Sequence, residues 1–426
     1  MSTAAESGFL ARATGFKVFA CLAFAYLLSY VLRTINAAIA PELVSEFSLS
    51  NADLGSLSSA YFLAFALMQL PLGVWLDRYG TRRTNSALLL VAALGCVLFG
   101  LADAEPLLWL ARAMIGAGFA GALMGSLRAF RFWFPADRQQ QLIAWMLVVG
   151  STGALLASAP SRALIPVIGW RGLFLLAGGL LVVASVAIFW FLPRVENVQK
   201  NKPSSESVAA PVTHGFAGYL TVYRNRYFWR FAVLSVVMQS SFIAFQSLWI
   251  GPWFTEVMQQ SAKVSGQVIF GFNLVLLLAF VALGSIARKM NQRGVSLLRV
   301  CQVTTVMIIG LHLWLSFTDS IIIAVGAWFV YAIVATPYTL LQSHVGMSFP
   351  EAITGRAYTG FNLLVFAGIF LIQWIFGALV DWCLLWRETE PQAFRLAMQI
   401  WVGVEVLALL WFTFFKARPL SETAVS

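Results

Sequence analysis

An arginine lies deep inside the first long apolar run of this 426-residue chain, at Arg33, with Tyr30 three positions before it and Asn36 three positions after. Residues three or four apart share a helix face, so these side chains are expected to point the same way. An ionisable residue inside a membrane span is costly and marks function by default. A guanidinium is a planar fork that grips a carboxylate or phosphate with two parallel hydrogen bonds, which an ammonium does not reproduce. The expected chemistry is therefore recognition of an anion by Arg33, with Tyr30 shaping the pocket and Asn36 donating a further hydrogen bond. The plainer reading is an arginine neutralised by backbone carbonyls, with Tyr30 and Asn36 tying helices together.

Arg112 opens the fourth apolar run and is a second candidate for substrate contact, unless it only bonds backbone across helices. If both arginines face one cavity, that cavity is electropositive and repels cations. The second half of the chain offers uncharged partners: Gln239 and Gln246 in the seventh run, Asn273 in the eighth, Tyr331 and Tyr338 in the tenth, and Asn362 in the eleventh. Such groups bind polar substrate without adding countercharge, although singly each serves equally well as interhelical glue. Proton coupling has two candidates. Glu405 is the one acid well inside a span, and His344 ends the tenth run and titrates near neutrality. The four cysteines have no close-spaced Cys or His partner, so neither a disulfide framework nor a metal site is expected. No cofactor is implied, no Walker loop is present, and no nucleophile–base arrangement suggests an enzyme.

The elements that must hold these residues are membrane spans. Sixty per cent of the residues are hydrophobic and 11% are charged, against roughly 45–50% and about 25% in soluble domains. A soluble enzyme, a nucleic-acid-binding domain and a disordered chain are excluded. Twelve segments approach the roughly 20 apolar residues that a spanning helix needs. The first follows Lys17 and is read as an uncleaved span. Basic loops alternate with acidic ones, which accounts for the net charge of +10 and puts both termini on the cytoplasmic side. The expected domains are a six-helix bundle over residues 1–193, a polar Ser/Pro-rich cytoplasmic linker over 194–226, and a second six-helix bundle over 227–426. Gly-and-Arg loops after the second and eighth spans, and Phe-Pro loops after the fourth and tenth, echo one another. They suggest a duplicated unit whose repeats rock about a midplane site.

The loop Gly73–Arg83 reads "GVWLDRYGTRR", and Arg112–Gly118 reads "RAMIGAG". With "FPADR" and "GWRGLF", these resemble the signature loop and fourth-span pattern of the major facilitator superfamily. The resemblance implies an all-α membrane protein of twelve transmembrane helices in two pseudo-symmetric bundles. It also implies a latch made by Gly73, Asp77, Arg78, Gly80, Arg82 and Arg83: Gly73 permitting close helix approach, Asp77 capping a neighbouring helix, and the arginines pairing with acids across the halves. "YVLRTINAAIAPEL" is similar to the organic anion:cation symporter branch, whose first-span arginine binds the substrate's anionic group. Leu32 and Phe119 stand where that branch carries acids, so its usual proton route is missing. The expected function is import of a small organic anion or zwitterion, a carboxylate or amino acid, by a monomer in the bacterial inner membrane. Its partners are that substrate, the lipid bilayer and a co-transported proton or sodium ion, with no nucleic acid. Efflux, or a transporter-like receptor that moves nothing, are the alternatives.

Overall fold

The computed structural model describes residues 10, 12–193, 217–349 and 351–417, and all regular structure among them is helical. Eleven helices are long and apolar enough to cross a membrane, and Gln141–Leu156 is a shorter apolar one. In chain order the spans are α1 Arg12–Thr34, α2 Asn51–Leu76, α3 Arg78–Leu101, α4 Glu105–Trp133, α5 Ala136–Leu156, α6 Ala159–Phe191, α7 Arg226–Val257, α8 Ala262–Gln292, α9 Leu297–Leu315, α10 Ile321–Met347, α11 Glu351–Leu384 and α12 Glu390–Phe414. Their outward faces carry large apolar side chains, such as Ile322 at 81% exposure and Val167 at 77%. Contiguous surface of that kind is built for lipid.

Two tight connections share one backbone geometry. Gly80 has φ 73°, ψ 167° and Gly169 has φ 70°, ψ 167°, values open essentially to glycine alone. Gly80 turns α2 into α3. Gly169 lies within α6, so residues 159–168 prolong the fifth span beyond a kink at Ser158 (φ −93°, ψ −114°), and the sixth begins at Trp170. Gly294, between α8 and α9, also has positive φ (67°), as Gly80 does between α2 and α3. Of the expected linker, residues 194–216 lie outside the described residues, and Ala217–Arg224 forms a short helix.

The contacts divide into two compact units. Unit 1 comprises residues 1–47 and 60–207; unit 2 comprises residues 48–59 and 208–426. In unit 1, glycines let backbones touch. A Cβ at Gly153 would meet the Tyr30 Cβ at 2.9 Å, and one at Gly150 would meet the Tyr30 ring at 2.9 Å, so α5 lies directly against α1. Ser86 and Ser185 each donate to the other's carbonyl, at 3.0 and 2.8 Å, joining α3 to α6. Close approach with small residues and hydroxyl bonds is how helices associate in lipid. At the far end of α1, the short helix Asn36–Phe47 is pinned by Arg162 to Glu42 and by Arg171 and Trp170 to Glu46.

Unit 2 packs α7 against α11 and α12. Ser240 donates to the Val365 carbonyl at 2.8 Å, and the Trp401 indole donates to Ser241 at 3.2 Å. Two π-helical turns, Phe245–Trp249 and Trp253–Val257, interrupt α7. Such wide turns are uncommon and gather at functional positions.

The start of α2 belongs to unit 2, and its amides are fully served. Ser50 and Asp53 form a capping box: the Asp53 N–H donates to Ser50 Oγ, and the Ser50 N–H donates back to Asp53 Oδ2. Asp381 at the end of α11 accepts from the Asn51 N–H at 3.1 Å, the Asn51 side-chain amide at 3.0 Å and the Ala52 N–H at 2.7 Å. Gly55 and Gly377 make room for this, because a Cβ on either would strike opposing backbone. Asp381→Ala removes a carboxylate cap worth about 0.5–2 kcal/mol. Amide hydrogen exchange at residues 51–54 is expected to quicken accordingly, with the rest of unit 2 unchanged.

Candidate functional site

Unit 1 assembles an aromatic box around the predicted anion binder. The Arg33 guanidinium lies over the Tyr30 ring at 4.6 Å, the Phe65 ring at 5.6 Å and the Tyr61 ring at 5.9 Å, and it also hydrogen-bonds the Tyr61 side chain. Stacked cation–π contacts hold a guanidinium flat while leaving its edge for hydrogen bonds. Arg33 is half-buried as a residue, and its Nε is sealed from solvent. Tyr30 is itself fixed from below, with Tyr26 donating to its hydroxyl at 3.5 Å and Gly150 and Gly153 against its ring and Cβ. Spacing along one helix thus places Tyr30 under Arg33 as expected. Asn36 is fully buried in the short helix that follows a one-residue turn at Ile35, across which the Ile35 and Ile39 N–H groups still donate four residues back.

Arg112 is placed away from solvent in this structure. It is 0% exposed, and its Nη1 donates to the Leu32 carbonyl at 2.8 Å, the cross-helix backbone bond that was the alternative reading. Its Nε and Nη2 have no hydrogen-bond partner. The Arg112 guanidinium lies 5.4 Å from the centre of the same Tyr61 ring. Tyr61 is therefore flanked by both arginines, and its hydroxyl lies 3.4 Å from Ser29 Oγ.

The sequence did not single out Tyr61, because nothing in its own surroundings distinguishes it from the other aromatics of the second span. The signal lay instead in the fourth-span glycines. A Cβ at Gly116 would enter the Tyr61 carbonyl, and one at Gly118 would come within 2.6 Å of the Leu88 carbonyl oxygen and Ala92 Cβ. The Arg-x-x-x-Gly-x-Gly pattern is thus a packing device that presses α4 onto α2 and α3 and carries Arg112 to Tyr61. Gly116→Ala sets a methyl against backbone that no rotamer change relieves, at a cost of about 1–3 kcal/mol. A lowered unfolding temperature of the purified protein, with weakened transport, is the expected result.

In unit 2 the predicted polar residues mostly satisfy one another. Gln246 donates to Asn273 at 2.8 Å, and Asn273 donates to the Ile269 carbonyl at 3.0 Å. Tyr338 is buried, with its hydroxyl 2.5 Å from Thr305, and Tyr331 is buried against His312. These four are internal to the bundle here rather than open to a solute. Gln239, which accepts from Ser235, and Asn362 remain half-buried. Of the coupling candidates, His344 Nε2 lies 2.9 Å from the Tyr227 hydroxyl, and Glu405 is 0% exposed beside His312.

The loop Gly73–Arg83 departs from its expected mechanics at two points. Gly73 has open space where a Cβ would stand, so it mediates no close approach. Arg82 is held inside its own unit, its Nε donating to the Phe189 carbonyl and its guanidinium 4.4 Å from the Phe189 ring. Arg78 is exposed over Tyr79, and Arg83 edges a cavity of about 390 Å³ with Trp75 and Tyr79. Gly80 makes the turn, and the side chain of Asp77 lies outside the described residues.

Residues 22–422 match the family model described as Major Facilitator Superfamily. The chain is 25% identical over 391 residues to the hexuronate transporter of Escherichia coli (strain K12), covering 83% of this chain and 85% of that protein. It is 26% identical over 231 residues to the galacturonate transporter of Dickeya chrysanthemi, covering 52% of this chain and 67% of that protein. Its fold is similar to the crystal structure of a bacterial homologue of the human lysosomal transporter Spinster, with a TM-score of 0.77, 16% identity, and 95% and 98% of the two chains covered.

Proposed function

The chain belongs to the Major Facilitator Superfamily of multi-pass membrane transporters, which are not enzymes, and from that premise we propose that it imports a small organic acid of the sugar-acid class by alternating access. The observation that carries this reading is Arg33, a half-buried residue whose guanidinium is stacked among Tyr30, Tyr61 and Phe65. An anion entering the box meets the fork of Arg33 edge-on, and the desolvated rings strengthen the charge-assisted bonds. The relatives that carry hexuronate and galacturonate support a carboxylate as the charged group. Arg112 acts through Tyr61 and Leu32 as a positioning residue. The proposed setting is a bacterial inner membrane with both termini cytoplasmic, in keeping with the basic loops.

A specific ligand raises stability by mass action, about 2.7 kcal/mol at a concentration of 100 dissociation constants. Purified protein is therefore expected to unfold at a higher temperature with galacturonate than with the neutral sugar galactose. Labelled galacturonate should enter proteoliposomes, and comparison with inside-out vesicles fixes the direction. Equal response to acid and neutral sugar would remove the anion reading.

A further inference from the structure

Unit 2 holds a titratable pair that binding of the anion does not use. His312 of α9 and Glu405 of α12 are both 0% exposed, with Nδ1 and Oε1 2.8 Å apart. The other polar atoms of the pair, His312 Nε2 and Glu405 Oε2, have no hydrogen-bond partner, and neither do the Tyr331 hydroxyl and the Trp328 indole N–H. These four residues form one cluster. The His312 ring lies 4.6 Å from Tyr331 and 6.5 Å from Trp328, which is 5.8 Å from Tyr331, and Phe245 from the first π-turn of α7 closes it at 5.5 Å. The titratable groups facing Glu405 among the described residues are His312 from α9 and Tyr331 and Tyr338 from α10. Tyr338 is already bonded to Thr305. Orphaned polar atoms buried in native proteins call for an explanation, and here four of them surround one ionisable pair.

We propose that the Glu405–His312 pair, enclosed by Tyr331 and Trp328, holds the proton that accompanies the transported anion. The proposal rests on the anion-transport reading above. The charge balance carries it. With neutral histidine and ionised glutamate the pair has a net charge of −1, and a lone charge sealed from water is strongly disfavoured. One proton taken from water onto Glu405 brings the pair to zero. The sealed arrangement therefore favours the proton-loaded pair, and hydration of the cluster favours release of that proton back to water. One proton moved with one monovalent anion is electrically neutral cargo. The pair also supplies in unit 2 the titratable group that Leu32 and Phe119 fail to supply in unit 1.

The test uses purified full-length protein carrying Glu405→Gln, and the double variant with His312→Gln, in which two amides keep a hydrogen bond and neither titrates. Infrared spectra of the wild type are expected to show the carbonyl band of a protonated carboxyl group that fades as pH is raised and is missing in both variants. No band, or one indifferent to pH, overturns the proposal without any substrate being needed. In proteoliposomes, both variants should lose accumulation of galacturonate driven by an imposed proton gradient while retaining exchange of internal for external galacturonate. Accumulation retained by both overturns the proposal, and loss of exchange together with accumulation assigns the pair a structural role and overturns it as well. A wild type that moves no galacturonate in either mode defeats the substrate reading instead, and the infrared result then decides the proton site alone.

Discussion

Arg33→Lys is expected to abolish saturable galacturonate uptake and the accompanying thermal stabilisation, while the protein still inserts and purifies normally. The charge survives this change, so its effect isolates geometry. Lysine presents a point charge on a flexible stem in place of a flat fork, and it loses the planar stacking on Tyr30 at 4.6 Å. Hydrogen bonds to charged groups contribute about 1.5–3 kcal/mol each. Losing one such bond weakens affinity about 10- to 150-fold, since about 1.4 kcal/mol is a factor of ten. Arg33→Ala removes the second bond and the charge together and should leave no measurable binding. The fold should tolerate both changes, because Arg33 is partly exposed and the glycine contacts that hold α1 against α5 involve Tyr30 and Leu27. Wild-type uptake by Arg33→Ala would refute the role assigned to the guanidinium. Tyr30→Phe keeps the ring beneath the guanidinium and should cost far less than either.

What the sequence made legible at this site was local. Tyr30 and Arg33 are one helical turn apart, so periodicity alone stacks one beneath the other. Tyr61 was hidden because its relation to Arg112 runs through the backbone contact at Gly116, between spans that no periodicity connects. Asp381 was hidden for the same reason, since the amides it accepts from lie 330 and 329 residues away. Glu405 was visible as the one acid well inside a span, and His312 lies in another apolar run. Only packing revealed them as a pair, 93 residues apart. The burial of Asn36, past the turn at Ile35, was not legible from spacing either. The uncharged groups of the second half were ambiguous by nature, since an amide that can bind a hydroxyl can equally bind another amide, as Gln246 and Asn273 do.

The two arginines of unit 1 call for opposite expectations, which makes Arg112→Met the most discriminating substitution after those at Arg33. Burial of an uncompensated cation is expensive, and Arg112 is sealed at 0% exposure with Nε and Nη2 unpartnered. A single bond to the Leu32 carbonyl and the face of Tyr61 offset only part of that cost. Methionine fills similar space without a charge, and replacing buried ionic groups by apolar side chains of similar volume often raises stability by about 1–4 kcal/mol. The variant is therefore expected to unfold at a higher temperature than the wild type. Its transport should fall sharply, because the residue after Leu32 is Arg33 and the ring that Arg112 steadies is the one Arg33 bonds. Stability gained and activity lost together would identify Arg112 as a strained positioning group retained for function. A lowered unfolding temperature would instead make it a structural tie between α4 and α1. Unchanged uptake would show that Tyr61 keeps its place without it.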